Sequence, residues 1–330
     1  MEVIKPGSKI DFIKIMPYAI VVSALLVTVS LCGIFIWPKP NWGIDFAGGT
    51  EIQVAFKQPI EMGKLREAME SLRVGDVKVQ EWLGTGKANT NFLIRLEKLA
   101  EEPAATATET QPGGTAAGAT GKTTTMVEAK ITEVFGKGSF EILKSDYVGP
   151  KVGKELRNQG ALAVIIANLL ILVYVSLRFE FRYAFGAVIA LFHDAIISAG
   201  LIVFTQKSFD LTIIAALLSI VGYSINDTIV VFDRIRENLS RHRRMTLFET
   251  VNAATNETLS RTLLTSFVTW LAVFCLWLLG GSSINGFAFC MMMGIIVGTY
   301  SSVFVASAYV VYTERLRDRR RTAAAATAGK

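Results

Sequence analysis

The chain has 330 residues, 51% of them hydrophobic, and a formal net charge of +6. Its mean hydropathy of +0.42 is high for a soluble protein. The basic balance invites a nucleic-acid reading, but the basic residues gather at the ends of apolar stretches, which argues against it.

The first apolar stretch, Ile15–Trp37, has no charged residue. At about 1.5 Å per helical residue it is long enough to cross roughly 30 Å of hydrocarbon. It exceeds the apolar core of a signal peptide, and Trp37-Pro38-Lys39-Pro40 offers no small-residue cleavage site, so a retained helix is expected. The segment 38–157 has the patterning of a folded domain. Thr50–Lys57 alternates as a half-buried strand does. Glu61–Arg73 carries Met62, Leu65, Met69 and Leu72 at helical spacing. Asp76–Leu83 and Asn91–Leu96 read as strands, Met126–Phe135 as a helix and Ser139–Ser145 as a last strand. The order βαββαβ is ferredoxin-like. Residues 100–125 are rich in Ala, Thr, Gly and Pro, cannot bury a core, and are expected to form a disordered insert. Within them Gly118–Thr123 has residues of a phosphate loop without its spacing or its preceding strand.

Five more spans follow: Asn158–Leu177, Tyr183–Thr205, Leu211–Phe232, Thr262–Gly280 and Ile284–Thr313. Lys5, Lys9 and Lys14 precede span one, and Arg178 and Arg182 lie between spans two and three. Arg234, Arg236, Arg241, Arg243 and Arg244 follow span four, and a basic tail, 314–330, follows span six. The short loops on the other side hold only Lys207. This asymmetry predicts cytoplasmic termini and an external domain at 38–157. The domains expected are therefore 1–37, 38–157, 158–313 and the tail. Cys32, Cys275 and Cys290 all fall in spans, so neither a disulfide framework nor a zinc site is expected.

A carboxylate in hydrocarbon costs about 2.5–3.5 kcal/mol on insertion scales. Asp194 lies near the middle of span three beside His193, and Asp227 lies in span four after Tyr223, Ser224 and Asn226. Two readings stand for each carboxylate: an interhelical hydrogen bond, or a proton site. His193 reads equally as a satisfied bundle histidine, and one His with one adjacent Asp is poor evidence for a metal site, because adjacent residues do not share a helix face. Asp233, at the end of span four next to Arg234, reads as a solvated or paired surface carboxylate. Arg261 opens span five, either snorkelling to the interface or facing the bundle. Thr262, Thr265, Ser266 and Thr269 follow it and gather hydroxyls on one face. In span six Gly294, Gly298 and Ser302 recur every four residues, a pattern for close helix packing. The polar domain shows no convincing nucleophile or paired carboxylates, so catalytic residues, metals and cofactors are not expected.

Five stretches resemble the SecD/SecF family of bacterial protein-export membrane proteins, in its SecF branch: WGIDFAGGT at 42–50, VGPKVGKEL at 148–156, LFHD at 191–194, GYSINDTIVVFDRIREN at 222–238 and NETLSRTLLTS at 256–266. The resemblance implies an α-helical membrane protein of the resistance-nodulation-division type. It has six transmembrane helices, with an external ferredoxin-like α+β domain between helices 1 and 2. It implies the bacterial inner membrane, a SecD partner, the SecYEG channel, and proton-driven assistance to translocating unfolded polypeptides. Asp227 matches the family's membrane aspartate and Arg261 its arginine. With Asp194 they form the expected proton relay, supported by Asn226, His193, Thr262, Thr265 and Ser266. A small-molecule or lipid exporter of the same superfamily, or a non-transporting assembly factor, are the alternative functions.

Overall fold

The computed structural model describes residues 10–72, 76–81, 90–97, 117–178, 181–242 and 244–328. Helix α1 (Phe12–Phe35) precedes the short strand β1 (Asn41–Trp42) and the helical turn α2 (Ile44–Ala47). Then come β2 (Gly49–Phe56), α3 (Met62–Glu70), β3 (Asp76–Glu81), β4 (Asn91–Glu97), α4 (Ala117–Phe135) and β5 (Phe140–Val148). The remainder is almost wholly helical. It runs α5 (Pro150–Arg178), α6 (Phe181–Phe204), the two-residue strand β6 (Ser208–Phe209), α7 (Leu211–Arg241) and α8 (Leu247–Leu279). It closes with α9 (Ser282–Ser301), a π-helical turn (Ser302–Ala306) and α10 (Ser307–Ala328). Among the described residues, six helical segments are long and apolar enough to cross a membrane, α9 to α10 counting as one, and the chain is a multi-pass membrane protein.

The chain forms two compact units, an α+β unit over 42–161 with 279–283, and a helical unit. In the α+β unit the strand order is β3-β4-β2-β5, every neighbour antiparallel. With α3 and α4 between the strands, this order is compatible with the ferredoxin-like arrangement. Alternation in β2 puts Ile52, Val54 and Phe56 into the core, where Leu65 and Met69 of α3 and Val127 and Ile131 of α4 meet them. Each such side chain contributes roughly 1.5–3 kcal/mol through burial. Arg95 on β4 is also buried, held by Glu51 at 2.8 Å.

Two of the sequence motifs are explained by backbone contact in this unit. Gly48 has φ +76°, and a Cβ there would lie 2.9 Å from Pro150 Cα. A Cβ on Gly153 would lie 3.2 Å from Gly48 N. Glycine at these places lets the strand entering β2 touch the first turn of α5, which opens on Pro150, a residue suited to that position.

The expected insert needs correction. Residues 117–125 are helical, the first turns of α4, which begins at Ala117 rather than Met126. Pro112 is the last proline of the insert, and beyond it Ala and Thr are compatible with helix. Thr123 is buried, and the Thr124 hydroxyl lies 2.8 Å from that of Ser145 on β5. Residues 100–116 lie outside the described residues.

In the helical unit, Ala184, Ala187 and Ala190 line α6 and allow close packing with Val231, Phe232 and Ile235 of α7. Helix α8 also starts earlier than expected, at Leu247 rather than Thr262. Hydropathy finds only its apolar part. Its start is set by a capping box, in which Thr246 N donates to Glu249 Oε2 at 2.8 Å and Glu249 N donates to Thr246 Oγ1 at 3.3 Å. The extra turns of α8 hold the beginning of α1: Phe12 N donates to Asn252 Oδ1 at 2.8 Å, and Asn256 bonds both N and O of Ile10.

Candidate functional site

Asp194 on α6 is fully buried. Its Oδ2 accepts from Ser224 Oγ of α7 at 2.5 Å and from Ser301 Oγ of α9 at 2.6 Å. Its Oδ1 lies 2.8 Å from His193 Nδ1. Although adjacent helical residues do not share a face, these two side chains meet in the socket. The His193 ring stacks on Tyr300 with centroids 6.2 Å apart, and its buried Nε2 has no hydrogen-bond partner among the described residues. Glycine shapes this socket. A Cβ on Gly298 would lie 3.2 Å from Ser224 Cβ and 3.6 Å from Asp194 Oδ2, so glycine favours the close approach of α9 at which Ser301 bonds.

Asp227 on α7 is also buried, at 3% exposure, but in a different environment. Among the described residues its one hydrogen bond comes from Ser266 Oγ of α8 at 3.3 Å. Ser266 in turn accepts from Tyr223 OH of α7 at 3.2 Å and from Thr299 Oγ1 of α9 at 2.7 Å. Arg261 lies well inside α8 rather than at its start, because the helix begins at Leu247. Its side chain is exposed in this chain and makes no direct ion pair with Asp227.

The other expected site residues divide. Thr262 and Ser266, one turn apart, are buried, and Thr262 Oγ1 has no hydrogen-bond partner among the described residues. Thr265 is exposed and bonds back to the carbonyls of Arg261 and Thr262 at 3.1 and 3.0 Å, so the hydroxyl stripe splits around the helix. Asn226 is exposed and bonds neither carboxylate. Asp233 is half exposed and paired with Arg178 at 3.3 Å, as a surface carboxylate should be. Gly294, Gly298 and Ser302 do mark a close contact: a Cβ on Gly294 would lie 2.2 Å from Ile220 Cδ1.

Sequence reasoning missed the role of α9. Thr299 turns toward the Asp227 group and Ser301 toward Asp194. Tyr300, between them, donates to Ala19 O of α1 at 2.6 Å and lies 3.0 Å from Ser23 Oγ. The π-helical turn follows at once. Such turns often occur at functional sites. The spacing of Gly294, Gly298 and Ser302 pointed to this stretch as a contact, but hydroxyls in a charge-free span give no signal of their own. Outside the spans, Lys207 donates to Asn285 Oδ1 at 2.9 Å and lies over the Phe289 ring, and burial lowers its pKa. Among the described residues no group of three His, Cys, Asp or Glu could hold a metal ion.

Comparison with known proteins matches these features to one family. Residues 126–316 fit the family described as protein export membrane protein SecD/SecF, C-terminal, and residues 38–60 fit the SecD/SecF GG motif. The protein translocase subunit SecF of Calditerrivibrio nitroreducens is 40% identical over 97% of this chain and 99% of its own length. That of Magnetococcus marinus is 42% identical over 99% of each. The crystal structure of SecDF, a translocon-associated membrane protein from Thermus thermophilus, is 33% identical with a TM-score of 0.78. The match covers 94% of this chain, which spans 39% of the length of that structure.

Proposed function

The chain belongs to the SecD/SecF family of protein export membrane proteins, and on that premise we propose that it is one six-span half of a proton-driven device that helps secreted polypeptides finish crossing the membrane. Its partner is SecD, supplying the second six-span half, and the pair works beside the SecYEG channel on unfolded chains. The exposed apolar faces of α1, α5 and α8 suit such a partner. Both termini lie in the cytoplasm and the α+β unit on the outer side of the bacterial inner membrane, following the placement of Lys and Arg.

The observation that carries this reading is Asp227, a buried membrane carboxylate with one long hydrogen bond and no direct counter-ion. Such a group can take up and release a proton without dismantling a saturated network. Each proton that falls through 100 mV releases about 2.3 kcal/mol. Protonation removes the charge on which Arg261 acts, and if the helices have two packings, that loss shifts their populations. Asp194, the second carboxylate expected in the relay, holds α6, α7 and α9 together beside the Asp227 group and takes up the proton only if Asp227 is not the carrier. His193, Thr262, Thr265, Ser266 and Asn226 support the polar interior.

The test is export in inverted membrane vesicles carrying Asp227→Asn at matched protein levels, with and without an uncoupler. Asn keeps the size of the side chain and loses the titratable charge. The uncoupler-sensitive part of export should vanish while the complex with SecD remains. Full uncoupler-sensitive export in the variant would contradict the proposal.

A further inference from the structure

The Asp227 group contains more hydroxyl acceptors than hydroxyl hydrogens can serve at once. Thr299 Oγ1 lies 2.7 Å from Ser266 Oγ and also 2.7 Å from Ile295 O, one turn back on α9. A hydroxyl has one hydrogen, so it makes one of these bonds fully at a time. Ser266 has the same choice, between Asp227 Oδ2 at 3.3 Å and Thr299 Oγ1. Tyr223 donates to Ser266 at 3.2 Å in either case.

The two choices are coupled through the charge on Asp227. An ionised carboxylate only accepts. Ser266 then donates to Asp227, and its oxygen accepts from Tyr223 and Thr299, which leaves Ile295 O to its backbone partner. A protonated Asp227 can donate to Ser266. Ser266 then turns its hydrogen to Thr299, and Thr299 turns its own to Ile295 O. No hydroxyl gains or loses hydrogen: the incoming proton stays on Asp227, and two hydroxyl hydrogens rotate.

We infer that Thr299 is a positioning residue of the proton site, the end of a hydroxyl chain whose direction reverses when Asp227 changes its protonation state. This rests on the reading of Asp227 as the proton carrier. The reversal keeps the bond between α8 and α9 but exchanges its donor, and it adds a bond within α9, from Thr299 to Ile295 O, immediately before Tyr300, Ser301 and the π-helical turn. It thus ties the Thr299 hydroxyl to its own helix backbone at the point where α9 also holds α1 and α6. The charged and titratable groups beside the site are Tyr223 on α7, Arg261 on α8, His193 and Asp194 on α6, and Tyr300 on α9. Among the described residues Tyr223 alone of these is hydrogen-bonded to Ser266, as a donor in both states, and none is hydrogen-bonded to Thr299.

The test is difference infrared spectroscopy of the reconstituted complex with SecD, following the carboxylic C=O band that appears on acidification. The band that Asp227→Asn removes belongs to this site. Thr299→Val, which has the shape of Thr but no hydroxyl, should move that band to higher frequency. It should also cut gradient-driven export about five- to tenfold, the kinetic equivalent of one hydrogen bond. Thr299→Ser should restore both. Ser266→Ala breaks the chain one link earlier and must shift the band as well, which keeps the test decisive if Thr299→Val fails to assemble. A band that Asp227→Asn removes but Thr299→Val or Ser266→Ala leaves in place overturns the inference alone. A band untouched by Asp227→Asn overturns the proton-carrier reading and the inference with it.

Discussion

Asp194 is enclosed by three partners from α6, α7 and α9 at 2.5–2.8 Å, whereas Asp227, on the neighbouring helix, accepts one bond at 3.3 Å from α8. The first arrangement satisfies both oxygens and ties three helices together. The second leaves the carboxylate underserved, on the side of the bundle where α8 is mostly exposed. Burial alone therefore does not identify a working membrane carboxylate. A group that must change its charge gains from few, adjustable partners, and a group that must hold helices in register gains from many.

The contrast is most easily broken by removing each carboxylate. Asp194→Leu orphans the Ser224 hydroxyl and the His193 ring, at about 1–3 kcal/mol for each buried group, and leaves Ser301 only its bond to Gly298 O at 3.1 Å. It should lower the thermal unfolding temperature of the purified complex sharply or prevent assembly. Asp227→Leu should be far milder in the same measurement while still abolishing gradient-driven export. Equal losses of stability would erase the distinction.

A smaller effect sharpens the packing side. Gly294→Ala drives a methyl group into Ile220 and should cost about 1–3 kcal/mol, whereas Gly222→Ala, with open space around it, should cost nothing measurable. Thermal unfolding of the two variants side by side checks this. Single hydroxyls come next. Ser301→Ala removes a short bond to Asp194 and should cost about 1.5–3 kcal/mol if that carboxylate is ionised, against about 0.5–1.5 kcal/mol for Ser266→Ala. The smallest effect is expected from Asp233→Asn. Its pairing with Arg178 is half exposed and should contribute about 0–1 kcal/mol, less at high salt, with export nearly unchanged.

The spans, the strand and helix order of the α+β unit and both carboxylates were legible in the sequence, because hydropathy, alternation and intramembrane charge are local signals. The start of α8 was not, although Thr246 and Glu249 carry a capping signature, since attention to apolar length passes over a polar helix end. That misplaced Arg261 at a helix terminus. The pairing of His193 with Asp194 was hidden because helical geometry discourages neighbours from meeting, and a tertiary socket overrode it. The least visible part was Thr299–Ser301. Three adjacent residues on α9 turn to three different helices, and only the assembled bundle shows where each hydroxyl goes.

The most direct test of the central claim is proton uptake by liposomes containing the complex with SecD, followed by an internal pH-sensitive dye after a gradient is imposed during export. Wild type should show uptake that requires a translocating polypeptide, and Asp227→Asn should show none at equal amounts of assembled complex. Undiminished substrate-dependent uptake through Asp227→Asn would contradict the account and shift the proton's path to Asp194.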